Sequence, residues 1–222
     1  MKTIYMLALW VFLAIISSPQ SLPAATVHFS DYGITGKNGS YDAAISYIFL
    51  DDRQATLTIS LTNTSKNHSA GYITALAFNN PGNRISGIVM SGTNGNFSLI
   101  GMPDFGDEIA VSPYGSFDIG ASIADGPNNL WLGGNNPALG IGLGETETFT
   151  FSLAGNMLSE LDELSFLEEL SFPAQNRSES FAVRFRGNDG TLATASAVPL
   201  PPTVILLGTA LFGLVGLRRK SS

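Results

Sequence analysis

The 222-residue chain contains no cysteine. Disulfides, thiolate metal sites and a thiol nucleophile are therefore excluded. Histidine is almost as scarce: His28 and His68 are the only two, too few for most zinc sites and for multi-histidine catalytic constellations. Charge is thin, at 13% of residues, and basic charge is thinner still. Of the 11 Lys and Arg, Lys2, Arg218, Arg219 and Lys220 sit at the chain ends, which leaves seven in the body against all 18 Asp and Glu, a net −11. A surface this acidic repels phosphate backbones and anionic headgroups, so the composition speaks against nucleic acid as a partner. No G-x-S-x-G elbow, H-E-x-x-H pair, P-loop or dinucleotide fingerprint occurs, which removes the familiar hydrolase and nucleotide-binding motifs. Nor does any apolar run reach the roughly 20 residues of a full membrane span.

The mean hydropathy is nevertheless positive, +0.20, because two apolar blocks lie at the extreme ends. At the amino end, Lys2 precedes the run Ile4 to Ile16, followed by Ser17-Ser18-Pro19 and the small residues Ala24 and Ala25. A positive end, a short apolar core and a small-residue exit form the layout of a secretory signal peptide. Export through the Sec machinery with cleavage near Ala24 to Thr26 is the expectation, so that 1–25 is removed. At the carboxyl end, Val198-Pro199-Leu200-Pro201-Pro202 comes first, then an uncharged stretch over 203–217, then Arg218-Arg219-Lys220. The prolines hold the chain extended just before the apolar stretch. That stretch, about 22 Å long as a helix, is thin for a hydrocarbon core of about 30 Å, and Gly208, Gly213 and Gly216 loosen it. A transient membrane stop with the basic triplet on the cytoplasmic side fits the positive-inside bias.

Proline motif, apolar span and basic cluster, in that order, make residues 198–222 resemble the PEP-CTERM sorting signal of Gram-negative bacteria in its VPLP form. Leu200 and Pro202 stand where the name-giving form has Glu and often Ala. The resemblance implies recognition by an exosortase, a membrane-embedded cysteine protease-transferase, which cuts near the proline motif and delivers the body to the cell surface. It also implies association with exopolysaccharide or biofilm. A plain C-terminal anchor that is never cut is the competing expectation.

The body, 26–197, reads as all-β. Gln54 to Asn63 alternates strictly, with Ala55, Leu57, Ile59 and Leu61 on one face and Thr56, Thr58, Ser60 and Thr62 on the other, the period of a half-buried strand. The same pattern recurs at Tyr41 to Phe49, Tyr72 to Phe78, Phe117 to Ser122, Thr148 to Leu153 and Phe181 to Arg186, with shorter candidates at His28 to Ile34, Gly87 to Met90 and Phe97 to Ile100. Turn clusters such as Asn79-Asn80-Pro81-Gly82 separate them. Short strands so punctuated predict a two-sheet antiparallel β-sandwich. One segment departs from this: leucines at 158, 161, 164, 167 and 170, interleaved with acids, predict an inserted acidic amphipathic helix of about four turns, with its acids solvated.

Candidate chemistry is sparse. Asp51-Asp52 is a carboxylate pair of the kind glycoside hydrolysis uses, although adjacent residues of an extended chain face opposite ways. Asp104, Asp107 and Glu108 in a Pro and Gly loop offer hard oxygen ligands to calcium, the one cofactor the sequence suggests. Trp131, set among Asn128, Asn129 and Asn135, is a candidate sugar platform if exposed and a core residue if not; Tyr114 lies in a similar loop. The composite expectation is a non-enzymatic cell-surface or matrix protein, structural or adhesive in role. Its alternatives are a carbohydrate- or calcium-binding module and a secreted glycoside hydrolase.

Overall fold

The computed structural model describes residues 26–32, 39–66, 71–101, 109–123, 131, 136–174, 177–187 and 192–196. The expected signal peptide over 1–25 and the sorting segment over 198–222, with its membrane stretch at 203–217, lie outside the described residues. Among the described residues no helix is long and apolar enough to cross a membrane.

The chain opens as a meander. Strands β1 (Thr26–Tyr32), β2 (Ser40–Phe49) and β3 (Gln54–Asn63) pair antiparallel in sequence order. The tight turn between β2 and β3 is set by Asp51, whose carboxylate accepts the N–H groups of Arg53 and Gln54 at 2.7 and 2.9 Å, a local bond that Asp favours in turns. At the far end of β3 the chain leaves for the second sheet. Asn63 fixes that crossing: fully buried, it donates to the Gly71 and Ile141 carbonyls and accepts the Ser65 N–H.

Strand β4 (Tyr72–Phe78) starts the second sheet, and Asn80 then clamps a turn by bonding both the N–H and the carbonyl of Ile85 at 2.9 Å. The chain goes on through β5 (Ile85–Gly92), β6 (Ser98–Ile100), β7 (Ile109–Val111), β8 (Gly115–Phe117), β9 (Ile119–Ser122) and β10 (Thr146–Gly155), then β11 (Phe181–Arg186) and β12 (Leu192–Ser196). Sheet A has the order β1-β2-β3-β10-β5 and sheet B the order β12-β11-β4-β9-β6, with β7-β8 as a separate hairpin. All named pairings are antiparallel. The expected β-sandwich is the fold.

Alternation decides which face each strand buries. Ile45, Leu57, Ile59, Phe149 and Phe151 of sheet A meet Leu76, Phe78, Phe181, Val183 and Phe185 of sheet B in one core. Phe78 approaches Phe151 edge-on with ring centroids 5.2 Å apart, and Phe97 approaches Phe149 likewise at 5.1 Å. Such pairs add to plain burial because the ring edge meets the negative face of its neighbour. Sheet B has a second cover on its other side. Ala75, Ala77 and Ala182 face outward there and are roofed by Ile109, Val111, Tyr114, Phe117 and Trp131 from β7, β8 and their surroundings. Small residues on the strands make room for that roof. Sheet A carries no such layer among the described residues.

Two expectations need correction. The strand read over Phe117 to Ser122 is two strands broken at Asp118, whose carboxylate turns aside to accept the Asn80 N–H at 2.8 Å; β8 then belongs to the roof and β9 to sheet B. The acidic helix of about four turns is also far shorter. Leu158–Glu160 forms a 3-10 turn, Leu161 is extended, and α1 (Ser165–Glu168) is a single turn. Asp162 and Ser165 bond one another reciprocally, a capping exchange that starts a new turn and so forbids continuation of the old one. The leucines consequently diverge: Leu158, Leu161 and Leu167 are buried while Leu164 and Leu170 are exposed. Glu163 is not solvated but buried, accepting the Tyr47 N–H at 3.0 Å. The segment closes one end of the sandwich, and Tyr47 holds it there by donating its hydroxyl to the Leu158 carbonyl at 2.7 Å.

Two outcomes follow. Phe151→Ala removes the ring at the centre of the core and lowers stability by about 3–5 kcal/mol in urea unfolding. Burial, against a smaller opposing effect of Arg84, pushes the Tyr47 hydroxyl from 10.0 up to about 12. The neutral phenol is thus the form that folding favours, and its contribution is complete below pH 10 and lost as pH climbs toward 12. Tyr47→Phe, which costs about 1 kcal/mol at neutral pH, loses less stability than wild type between pH 10 and 12 in parallel urea titrations.

Candidate functional site

With the roof lying on sheet B, the outer side of sheet A is the broad open surface of the described molecule. Its two central strands set its chemistry. On β3 the outward residues are Thr56, Thr58, Ser60 and Thr62; on β10 they are Thr146, Thr148, Thr150 and Ser152. Threonine suits this position because its branched carbon packs on the pleat while its hydroxyl stays in water.

Register turns these columns into rows. One row crosses all five strands: Thr26 on β1, Ser46 on β2, Thr58 on β3, Thr150 on β10 and Ser91 on β5. Every member carries a hydroxyl. The next row holds Ala44, Ser60 and Thr148, and the one beyond it Asp42, Thr62 and Thr146. On the other side lie Ile48, Thr56, Ser152 and Val89. Neighbouring strands are about 4.8 Å apart and successive outward residues of one strand about 7 Å apart, so the hydroxyls form a regular grid. Some bond each other across strands: Ser60 with Thr148 at 3.1 Å, and Thr62 with Thr146 at 2.8 Å. Asp42, at one corner, is the only charged side chain described in these rows.

At the end nearest the β2–β3 turn the grid dips into an open groove of about 430 Å³. Ala154 and its cross-strand partner Gly87 form the floor, and their small size makes the depression. A Cβ added to Gly87 would meet only the Ala154 Cβ, at 3.5 Å. Leu50 and Val89, 66% and 70% exposed, rise beside it, and Thr56 and Ser152 supply hydroxyls. No titratable group lines the groove. The groove can exchange hydrogen bonds and pack against apolar C–H groups, but its lining residues supply neither an acid nor a base.

The residues singled out from the sequence do not gather here. Asp51 caps its own turn, and Asp52 accepts the Ser159 hydroxyl while its carbonyl takes the Leu158 N–H at 2.9 Å; the pair anchors local structure and is not two carboxylates facing across a cleft. Trp131 is 8% exposed and Tyr114 1% exposed, both within the roof over sheet B, so the tryptophan ring packs instead of standing open as a platform. Asp104, Asp107 and Glu108, the signal exit at Ala24 and Ala25, and the sorting residues Val198, Pro199, Leu200, Pro201, Arg218, Arg219 and Lys220 all lie outside the described residues. Among the described residues no group of three or more His, Asp or Glu is placed to hold a metal ion. The hydroxyl rows were half visible beforehand, since alternation marked the Thr columns, but the row across five strands depends on register.

No protein-family model matches this chain, and no curated protein sequence matches it. Among solved structures it is similar to a biomass-sensing module from putative Rsgi-like proteins of Clostridium thermocellum, described as resembling the family 3 carbohydrate-binding module of the cellulosome. The likeness covers 77% of this chain and 96% of that one, at 10% identity and a TM-score of 0.32. A superposition this loose says nothing of what this chain binds.

The face assignment has a direct check. Thr58→Val and Thr150→Val, both outward, change stability by less than about 0.5 kcal/mol, whereas Ile59→Ala, one residue along and inward, costs about 2–5 kcal/mol, each read from urea denaturation midpoints.

Proposed function

We propose that this chain is an exported, non-catalytic cell-surface protein that lies against neutral polysaccharide through the open face of sheet A. The observation that carries this reading is the row Thr26, Ser46, Thr58, Thr150 and Ser91, with its flanking rows. A polysaccharide presents hydroxyls along its edges and C–H groups on its sugar faces. The grid meets the first with hydroxyls that both donate and accept, and the threonine methyls with Val89 and Leu50 meet the second. Among the described side chains of this face no aromatic platform concentrates affinity at one sugar, so each contact is weak, and binding comes from many contacts along one polymer.

Charge narrows the choice to neutral polymers. Exposed acids sit on the β2–β3 turn and on the segment after β10, at Asp51, Asp52, Glu160, Asp162, Glu168 and Glu169, where they repel a polyanion lying along the face. Delivery is the part of the reading that the termini support: an export signal over 1–25, transient membrane insertion over 203–217, and exosortase cutting near Val198 to Pro202. A matrix or biofilm setting would place such a surface among exopolysaccharides.

Native affinity electrophoresis through gels containing neutral glucans or galactomannans tests the binding. Wild-type protein is retarded, and Thr58→Glu/Thr150→Glu, with unchanged Tm, runs free; unretarded wild type in every gel, or an equally retarded variant, overturns the reading. Processing is tested by intact mass of protein recovered from envelope and medium, with and without the exosortase gene. A mature chain starting near Ala24 to Thr26 and ending near Pro199 to Thr203 is expected when the gene is present; a retained Arg218 to Ser222 terminus in both strains overturns processing.

A further inference from the structure

Arg184 occupies an unusual position on β11. Its neighbours Val183 and Phe185 point into the main core, while Ala182, two residues back, belongs to the roofed side of sheet B. Arg184 therefore faces the roofed side, one strand in from the edge strand β12. It is 5% exposed, and its Nε is buried with no hydrogen-bond partner. Its cross-strand neighbours are Ala75 and Thr194, neither of them an anion. The register between β4 and β11 shifts at this point, which leaves Thr74 as an extra residue with no pairing partner. Thr74 is fully buried, and its hydroxyl oxygen also lacks a hydrogen bond. Two buried polar atoms without hydrogen-bond partners, Thr74 Oγ1 and Arg184 Nε, thus belong to one β-bulge, a feature that recurs where a strand re-aims a side chain for function.

The charge makes the case stronger. Burial, reinforced by nearby Arg186, lowers the Arg184 guanidinium from its ordinary value to about 10, so it is still cationic at neutral pH. A buried charge with no counter-ion opposes folding. Although the chain has 18 carboxylates, none of the described ones pairs with Arg184; the ion pair formed among the described residues, Arg84 with Glu160 at 2.9 Å, lies elsewhere. A buried Arg whose Nε finds no acceptor among the described residues leaves one edge of its guanidinium open to a ligand.

We propose that this bulge on the outer side of sheet B is a receptor for a carboxylate, with Arg184 as its forked donor and Thr74 and Arg186 beside it. The edge of a guanidinium formed by Nε and one terminal nitrogen presents two parallel N–H groups, the geometry that a planar carboxylate accepts. A single negative charge also suits an acidic body better than a doubly charged phosphate. The site is separate from the open face of sheet A in both location and ligand charge. The carboxylate belongs either to a free small acid or to a uronate unit of a polymer.

Thermal-shift and calorimetric titrations with sodium D-glucuronate, alginate oligosaccharides and glucose at constant ionic strength test it. Ligand binding to the folded state raises Tm with concentration. Wild type responds to glucuronate, to the oligosaccharide or to both, and not to glucose. An oligosaccharide response about tenfold stronger than the monomer's assigns the carboxylate to a polymer, and equal responses assign it to a free acid. R184M has a higher ligand-free Tm than wild type and no response. R184K keeps the charge, loses the fork and binds about tenfold more weakly; it carries the test if R184M does not fold. Retardation by neutral polysaccharide is unchanged in both variants, which separates failure here from failure at sheet A. Silence of wild type toward both acids, or an undiminished response in R184M and R184K, overturns the proposal.

Discussion

The contact on which the rest depends is the aromatic seam around Phe78. This ring, on β4 of sheet B, packs against Phe151 of sheet A at 5.2 Å and against Phe166 of α1 at 6.1 Å, both edge-on. One side chain thereby joins the two sheets and the segment that closes their end. Burying each ring contributes about 1.5–3 kcal/mol, and the edge-to-face geometry about 0.5–1.5 kcal/mol more per pair. Phe149 extends the seam through Phe151 and Phe97. Because β10 must place Phe149 and Phe151 inward to build it, Thr148, Thr150 and Ser152 have no choice but to face out. The hydroxyl surface is the obverse of the core.

How much of this could be read from the residues depended on whether a pattern was local. The strict alternation of β3 and β11 gave their bounds directly, since period two is a property of adjacent positions. The leucine spacing after β10 misled for the same reason: a repeat of three is close to helical spacing, but the Asp162 and Ser165 exchange and the buried Glu163 answer to contacts made elsewhere. Strands β7 and β12 were missed because each is short and lacks strong alternation. The rows on sheet A were only half visible because they join residues up to 124 positions apart, such as Thr26 and Thr150, through three independent registers. Nothing in the local pattern of β11 marks Arg184 as buried, because the roof that covers it comes from β7, β8 and Trp131.

The two sheets are built alike on the inside and differently on the outside. Sheet B sets alanines outward and accepts a second hydrophobic layer; sheet A sets threonines and serines outward and has none among the described residues. The difference follows from composition. Methyl groups alone gain by being covered, whereas hydroxyls buried under a roof would need new partners for each donor and acceptor. Polar groups therefore divide by sheet: mostly hydroxyls spread over a wide surface on one, Arg184 and Thr74 enclosed at a single bulge on the other.

Strands β1 and β12 form the margins of their respective sheets and touch one another. The first and last strands of the described body therefore come together along one rim of the sandwich. Whatever is joined to the last residue of β12 is attached at that rim and not at the centre of either sheet.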